Sequence, residues 1–122
     1  MFANLIEDIN DGTTDHDYDL RKVGDNESIR RDVASPADQP AFLRIAHQSV
    51  GKGDGLKQRS LVQFTRTVER SEDQVQGDIK VNVTIEQPVK VATSAQVLEE
   101  VSKMLSFFGV SGNPALIISG TI

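Results

Sequence analysis

The sequence contains no cysteine and no tryptophan, one tyrosine and two histidines among its 122 residues. Without cysteine there is no disulfide, no thiolate nucleophile and no cysteine-based zinc or iron–sulfur site. With only His16 and His47 to supply imidazole, a three-histidine centre is excluded. No apolar run approaches the roughly 18 residues of a membrane-spanning helix. Met1-Phe2-Ala3-Asn4 lacks the basic stretch and apolar run of a signal peptide, so the expectation is a protein made in a cytoplasm. What is present suits one domain over residues 1–122, folding to about 6,500 Å² of surface if compact. That leaves little room for an enclosed active site or a large cofactor, and none is expected.

Charge is unevenly spread. The net charge is −5, but residues 1–40 carry ten acids against four bases, whereas residues 41–90 carry eight bases against six acids. Arg44, Lys57, Arg59, Arg66, Arg70 and Lys80 all fall in that middle segment. Docking of a polyanion depends on such a local field rather than on the total.

The hydropathy pattern changes along the chain. Phe2, Leu5, Ile6 and Ile9 fit a short strand or half a helical turn, and Asp11-Gly12 signals a tight turn. Tyr18, Leu20 and Val23 sit near period two; Gly24-Asp25-Asn26 turns the chain; Ser28 to Val33 fits another short strand. Residues 35–40 are a loop, Ala41 to Val50 a strand, and 51–55 a glycine-rich connection. From Lys57 to about Arg70, alternation places Val62, Phe64 and Val68 on one face and Lys57, Arg59, Gln63, Thr65, Thr67 and Glu69 on the other. Leu61 and Arg66 break that pattern. Ser71, Glu72, Asp73, Gln74, Val75, Gln76 and Gly77 read as a loop. The strictest alternation follows: Ile79, Val81, Val83 and Ile85 against Lys80, Asn82, Thr84 and Glu86, ended by Pro88.

Thr93 and Gln96 have capping-box spacing, and Val97, Leu98, Val101, Leu105 and Phe108 then repeat at helical period. The spacing predicts a helix over about 93–108, a Gly112-Asn113-Pro114 turn and a short helix over about 114–119. Leu116, Ile117, Ile118 and Ile122 form an apolar tail that a chain of this size has difficulty covering, unless the long helix folds back over its own sheet.

Catalytic constellations are absent. Neither histidine has a nucleophile and carboxylate at a recognised spacing; Asp15, His16, Asp17 and Asp19 alternate onto opposite faces and read as a solvated acidic turn rather than a metal site. Gly51-Lys52-Gly53-Asp54-Gly55 is not a phosphate-binding loop. The expected protein is not an enzyme. The polar faces of the two long strands form an open platform that fits either an ordinary solvated sheet face or an RNA-binding surface.

Several stretches carry a family likeness. Val91-Ala92-Thr93, the helix to Phe108, Gly112-Asn113-Pro114 and the Ser119-Gly120 tail, with the strand Lys80 to Pro88 and the strand end His47-Gln48-Ser49, resemble the coat proteins of the small single-stranded RNA bacteriophages, the levivirus-like phages. The resemblance implies an α+β fold: an N-terminal hairpin (about 1–24), a five-stranded antiparallel sheet (about 28–88) and two C-terminal helices. It implies an intertwined homodimer with a ten-stranded sheet, in which Val97, Leu98, Val101, Leu105 and Phe108 cover the partner's Ile79, Val81, Val83 and Ile85. Such dimers assemble into an icosahedral, T=3 shell in the bacterial cytoplasm, with residues 71–77 as the inter-dimer loop. The implied partners are genomic single-stranded RNA and a single-copy maturation protein, with no membrane. The implied RNA-contacting residues are His47, Lys57, Arg59, Gln63, Thr65, Lys80, Asn82 and Thr84; an operator hairpin is a further implied ligand. Lys80 stands where relatives carry a stacking aromatic. The alternative from a different class is a small cellular antiparallel-sheet binding module that forms no shell.

Overall fold

Six segments of alternating or β-branched sequence, each ended by a turn, fold as an antiparallel meander. The computed structural model describes residues 2–122. The strands are β1 (Leu5–Asn10), β2 (Asp15–Val23), β3 (Glu27–Asp32), β4 (Ala41–Val50), β5 (Lys57–Glu69) and β6 (Gln76–Pro88), followed by α1 (Ser94–Gly109) and α2 (Asn113–Ile118). They form one sheet in sequence order, β1-β2-β3-β4-β5-β6.

This differs from a hairpin set beside a five-stranded sheet. β2 pairs along β3, with Tyr18 opposite Asp32 and Val23 opposite Ser28, so the N-terminal hairpin is continuous with the sheet and the strands number six. The register shifts between Ile6 and Ile9 and again between Leu20 and Lys22, and Asp8 adopts a φ of 61°. Such bulges bend and twist the strands that carry them. The bend is large enough for Tyr18 on β2 to meet Phe64 on β5 edge-to-face, with ring centroids 5.7 Å apart. At about 4.8 Å per strand, a flat sheet would hold residues three strands apart at roughly 14 Å. The hairpin has curled over one face of the sheet.

A small core lies inside that curl. Tyr18, Leu43 and Ile45 are buried, with Ile6, Ile9, Val62 and Phe64 packed against them. Each large apolar side chain buried there contributes about 1.5–3 kcal/mol. Arg30, opposite Leu43, is wholly buried. Its guanidinium donates to the carbonyl of Ala3 at 2.9 Å, the carbonyl of Phe2 at 3.3 Å and Oγ of Ser28 at 2.8 Å. The leading segment is thereby fastened to β3.

The C-terminal third has no comparable core. The Thr93 hydroxyl accepts from the Gln96 amide at 3.2 Å while Gln96 Oε1 accepts from the Thr93 amide at 2.9 Å, the capping box expected from the sequence. Pro114 sits in the first turn of α2, which starts from Gly112 in the left-handed conformation that glycine tolerates. Neither helix buries a single residue, and α1 packs on α2. Leu98 is 64% exposed and Leu105 69%. The chain exposes 9029 Å², about 2,500 Å² beyond the compact expectation for its mass.

The loop after β5 is shorter than the sequence indicates. Gln76 and Gly77 pair with Glu69 and Val68 and belong to β6, so the connection is residues 70–75. It closes without glycine: the Arg70 amide donates to the Val75 carbonyl at 2.9 Å, the Asp73 carboxylate takes the Arg70 guanidinium, and Gln74 supplies the positive φ.

Candidate functional site

Directly opposed residues of an antiparallel pair share a sheet face, so the registers assign the faces. Thr65 lies opposite Lys80, Gln63 opposite Asn82, Leu61 opposite Thr84 and Arg59 opposite Glu86. Lys57, Arg59, Gln63, Thr65, Lys80, Asn82 and Thr84 therefore stand together on one polar face. His47 does not join them. It opposes Ser60, with Nδ1 2.9 Å from the Ser60 hydroxyl, on the face that carries Ile45 and Val62. Arg44, opposite Gln63, takes the place on the polar face. Alternation alone says that Arg44 and His47 point oppositely; pairing with β5 decides which points where.

The polar face is rich in hydrogen-bonding groups but its charges are largely offset. Glu86 meets Arg59 at 2.7 Å and Lys57 at 3.2 Å, and both cations hold its carboxyl below the usual range, Arg59 more than Lys57. Arg44 meets Glu27 at 2.5 Å. Thr67 donates to Asp78 at 2.8 Å. On β5 and β6, Lys80 is the polar-face cation with no ion pair among the described residues. This face can offer Lys80, the Asn82 amide and the Thr65 and Thr84 hydroxyls to a ligand without first breaking an ion pair.

The opposite face is divided. Its β2–β5 part is the core under the hairpin. Its β6 part is bare: Ile79 is 51% exposed, Val81 59% and Val83 43%, and Ile85 is half-buried. An open groove lies between the hairpin and β6, lined by Tyr18, Asp32, Phe64, Arg66, Ile79 and Val81. Of the α1 stripe, Val97 and Val101 are half-buried and Leu98, Leu105 and Phe108 exposed. Two complementary apolar surfaces are thus present in one chain, and no extensive packing joins α1 to β6.

One cluster that sequence reasoning did not assemble closes the groove. His16 Nδ1 lies 2.7 Å from Asp32 and its Nε2 2.7 Å from Asp11. A ring whose two nitrogens both face carboxylates favours the imidazolium form, which donates from both. Asp11 and then Asp32 raise the His16 pKa, and His16 with the Thr14 and Thr13 amides holds Asp11 well below the ordinary carboxylate range. The cluster ties the β1–β2 turn to the end of β3; Asp32 is sixteen residues from His16, so only the β2–β3 register reveals it. Among the described residues no group of three or more potential ligands is placed to hold a metal ion. No helix among them is long and apolar enough to cross a membrane.

No protein-family model matches the sequence, and no curated protein does. Solved structures do match. A virus-like particle of bacteriophage AVE019 is similar with a TM-score of 0.69 at 12% identity, over 98% of this chain and 97% of that one. A virus-like particle of bacteriophage AVE015 is similar with a TM-score of 0.55 at 14% identity, over 73% of this chain; the match spans 64% of that chain's length. At such identity the likeness is one of architecture, and it extends from β1 through α2: the chain shares the fold of the protein in these bacteriophage particles.

Proposed function

We propose that the chain is a structural coat subunit that pairs with a second copy through β6, crosses its helices over the partner's sheet and assembles into a closed shell around single-stranded RNA. The observation that carries this reading is the exposed area. A surplus of about 2,500 Å² per chain is in the range that obligate interfaces bury, and it is concentrated on β6 and the helices. A stripe at helical spacing and a bare sheet face of matching chemistry cover each other when exchanged between two copies. With six strands per subunit, edge-to-edge pairing gives a twelve-stranded sheet rather than ten. The loop 70–75 projects from the strand ends of β5 and β6 and is the inter-dimer contact; an icosahedral T=3 arrangement and a single-copy maturation protein come with the family resemblance.

The polar face then turns inward. Because its charges are mostly paired, contact with RNA rests on Lys80, Asn82, Thr65 and Thr84 more than on general attraction to phosphate, and its salt dependence is shallow. Expressed protein should form closed particles with nuclease-protected RNA by electron microscopy. Changing Lys80 and Asn82 together to alanine should leave the particles intact and lower RNA affinity by roughly tenfold in filter binding, the scale of one or two lost hydrogen-bonded contacts. Monomers or plain dimers at every concentration, with no particles, would instead point to a sheet-type binding module.

A further inference from the structure

We propose a specific register for the joined sheet: two copies of β6 pair antiparallel with Val83 on the two-fold axis. The inference rests on the coat-subunit reading only for its premise that β6 meets a second β6.

Half of the backbone amides and carbonyls of β6 are already bonded to β5. The Val89 amide donates to the Leu56 carbonyl and the Arg70 amide to the Val75 carbonyl, and both pairs fall on the β5–β6 register. Hydrogen-bonded and non-bonded pairs alternate along an antiparallel ladder, so the odd-numbered residues of β6 bond to β5. The even-numbered ones, from Gln76 to Pro88, direct their amides and carbonyls to the open edge. Pro88 has no amide to offer there, which ends the outer ladder at that residue.

Opposed residues share a face, so in a two-fold join each residue of β6 opposes one of its own parity, and some residue opposes itself. Full overlap, with Asn82 on the axis, puts Asp78 directly opposite Glu86 of the partner subunit, twice. Moving the axis to Val83 gives opposite charges instead: Lys80 faces Glu86 of the partner subunit, and Asn82 faces the partner's Thr84. The apolar side then carries Val83 against the partner's Val83 and Val81 against the partner's Ile85. Like charges directly opposed weaken a ladder and unlike charges support it. Lys80 can oppose a carboxylate of β6 in only one other register, with Asp78, and that register pairs little more than half of the strand. Joined at Val83, the sheet also adds the partner's Lys80 to the carboxylate of Glu86 that Lys57 and Arg59 already share.

The absence of native cysteine makes the test direct, because each engineered thiol is unique. Val83 is an odd-numbered residue and so forms a non-bonded pair across the axis, with Cα atoms about 4.5 Å apart, within disulfide reach. The variants Val81→Cys, Asn82→Cys, Val83→Cys and Ile85→Cys would each be oxidised with diamide and run on non-reducing gels. The expected result is a covalent dimer from Val83→Cys, formed at least about tenfold faster than from the other three, whose self-distances exceed disulfide geometry. Mixing Asn82→Cys with Thr84→Cys subunits should give a covalent heterodimer on the exposed polar face, an independent readout if Val83→Cys folds poorly. Self-crosslinking of Asn82→Cys would overturn the register. Particles by electron microscopy with no crosslink at any position would overturn the β6 join while leaving a shell-forming coat protein. Monomers throughout would overturn both.

Discussion

The two edges of the sheet are built in opposite ways. β1 is six residues long, interrupted by a bulge, lined by Glu7 and Asp8, and curled over the sheet face. β6 is thirteen residues long, regular and strictly alternating, with a bare apolar face. Short, bulged and charged edges resist pairing with other chains, whereas long flat ones invite it. The N-terminal side also carries its own core in Tyr18, Leu43 and Ile45, while the helices that follow β6 bury nothing. One end of the chain is finished by folding; the other, in the proposed dimer, takes its core from a second copy.

Substitutions at both ends test that division. The largest effect belongs to the unfinished end: Leu105→Asp places a charge in a surface that needs an apolar partner. It should abolish dimers and particles by light scattering, a loss of more than about 3 kcal/mol of association; dimers of normal size would break the comparison. At the finished end, Leu43→Ala should lower subunit stability by about 2–5 kcal/mol in chemical denaturation. If instead it changed stability no more than Leu98→Ala does, the N-terminal core would not be the self-sufficient part.

The smallest effect sharpens the picture of the hairpin. The folded-state pKa of His16 is raised above 6.5, so its contribution is complete below that pH and is lost as pH rises through the folded value. Asp11, with a lowered pKa, contributes above about 3.8 and loses its contribution as the medium becomes more acidic. Thermal stability should therefore fall modestly from pH 6.5 upward, and His16→Gln should flatten that limb of the profile. An unchanged slope in the variant would mean that the Asp11–His16–Asp32 cluster does not hold the hairpin.

Much of the architecture was legible in the chain because it is written at short range. The period-two alternation of residues 79–86 and the Thr93–Gln96 capping box each involve neighbours within a few positions, and both elements are where the sequence puts them. Gln76 and Gly77 were misplaced because a glycine before a strand looks like a turn, whereas Asp73 and Gln74 make the turn without one. His47 and Arg44 show a second limit. Their opposition follows from alternation, but the absolute face depends on pairing with residues thirteen to nineteen positions away.

The amino-acid order by itself determined the strands, the helices and their apolar stripes, and it excluded thiol chemistry, since these follow from local propensity and composition. Tertiary structure alone decided that the hairpin curls onto its own sheet, that seven polar residues share a face without His47, and that β6 and α1 are left uncovered. Each of those depends on register and curvature, which are set by pairing between distant segments and are invisible to any local pattern.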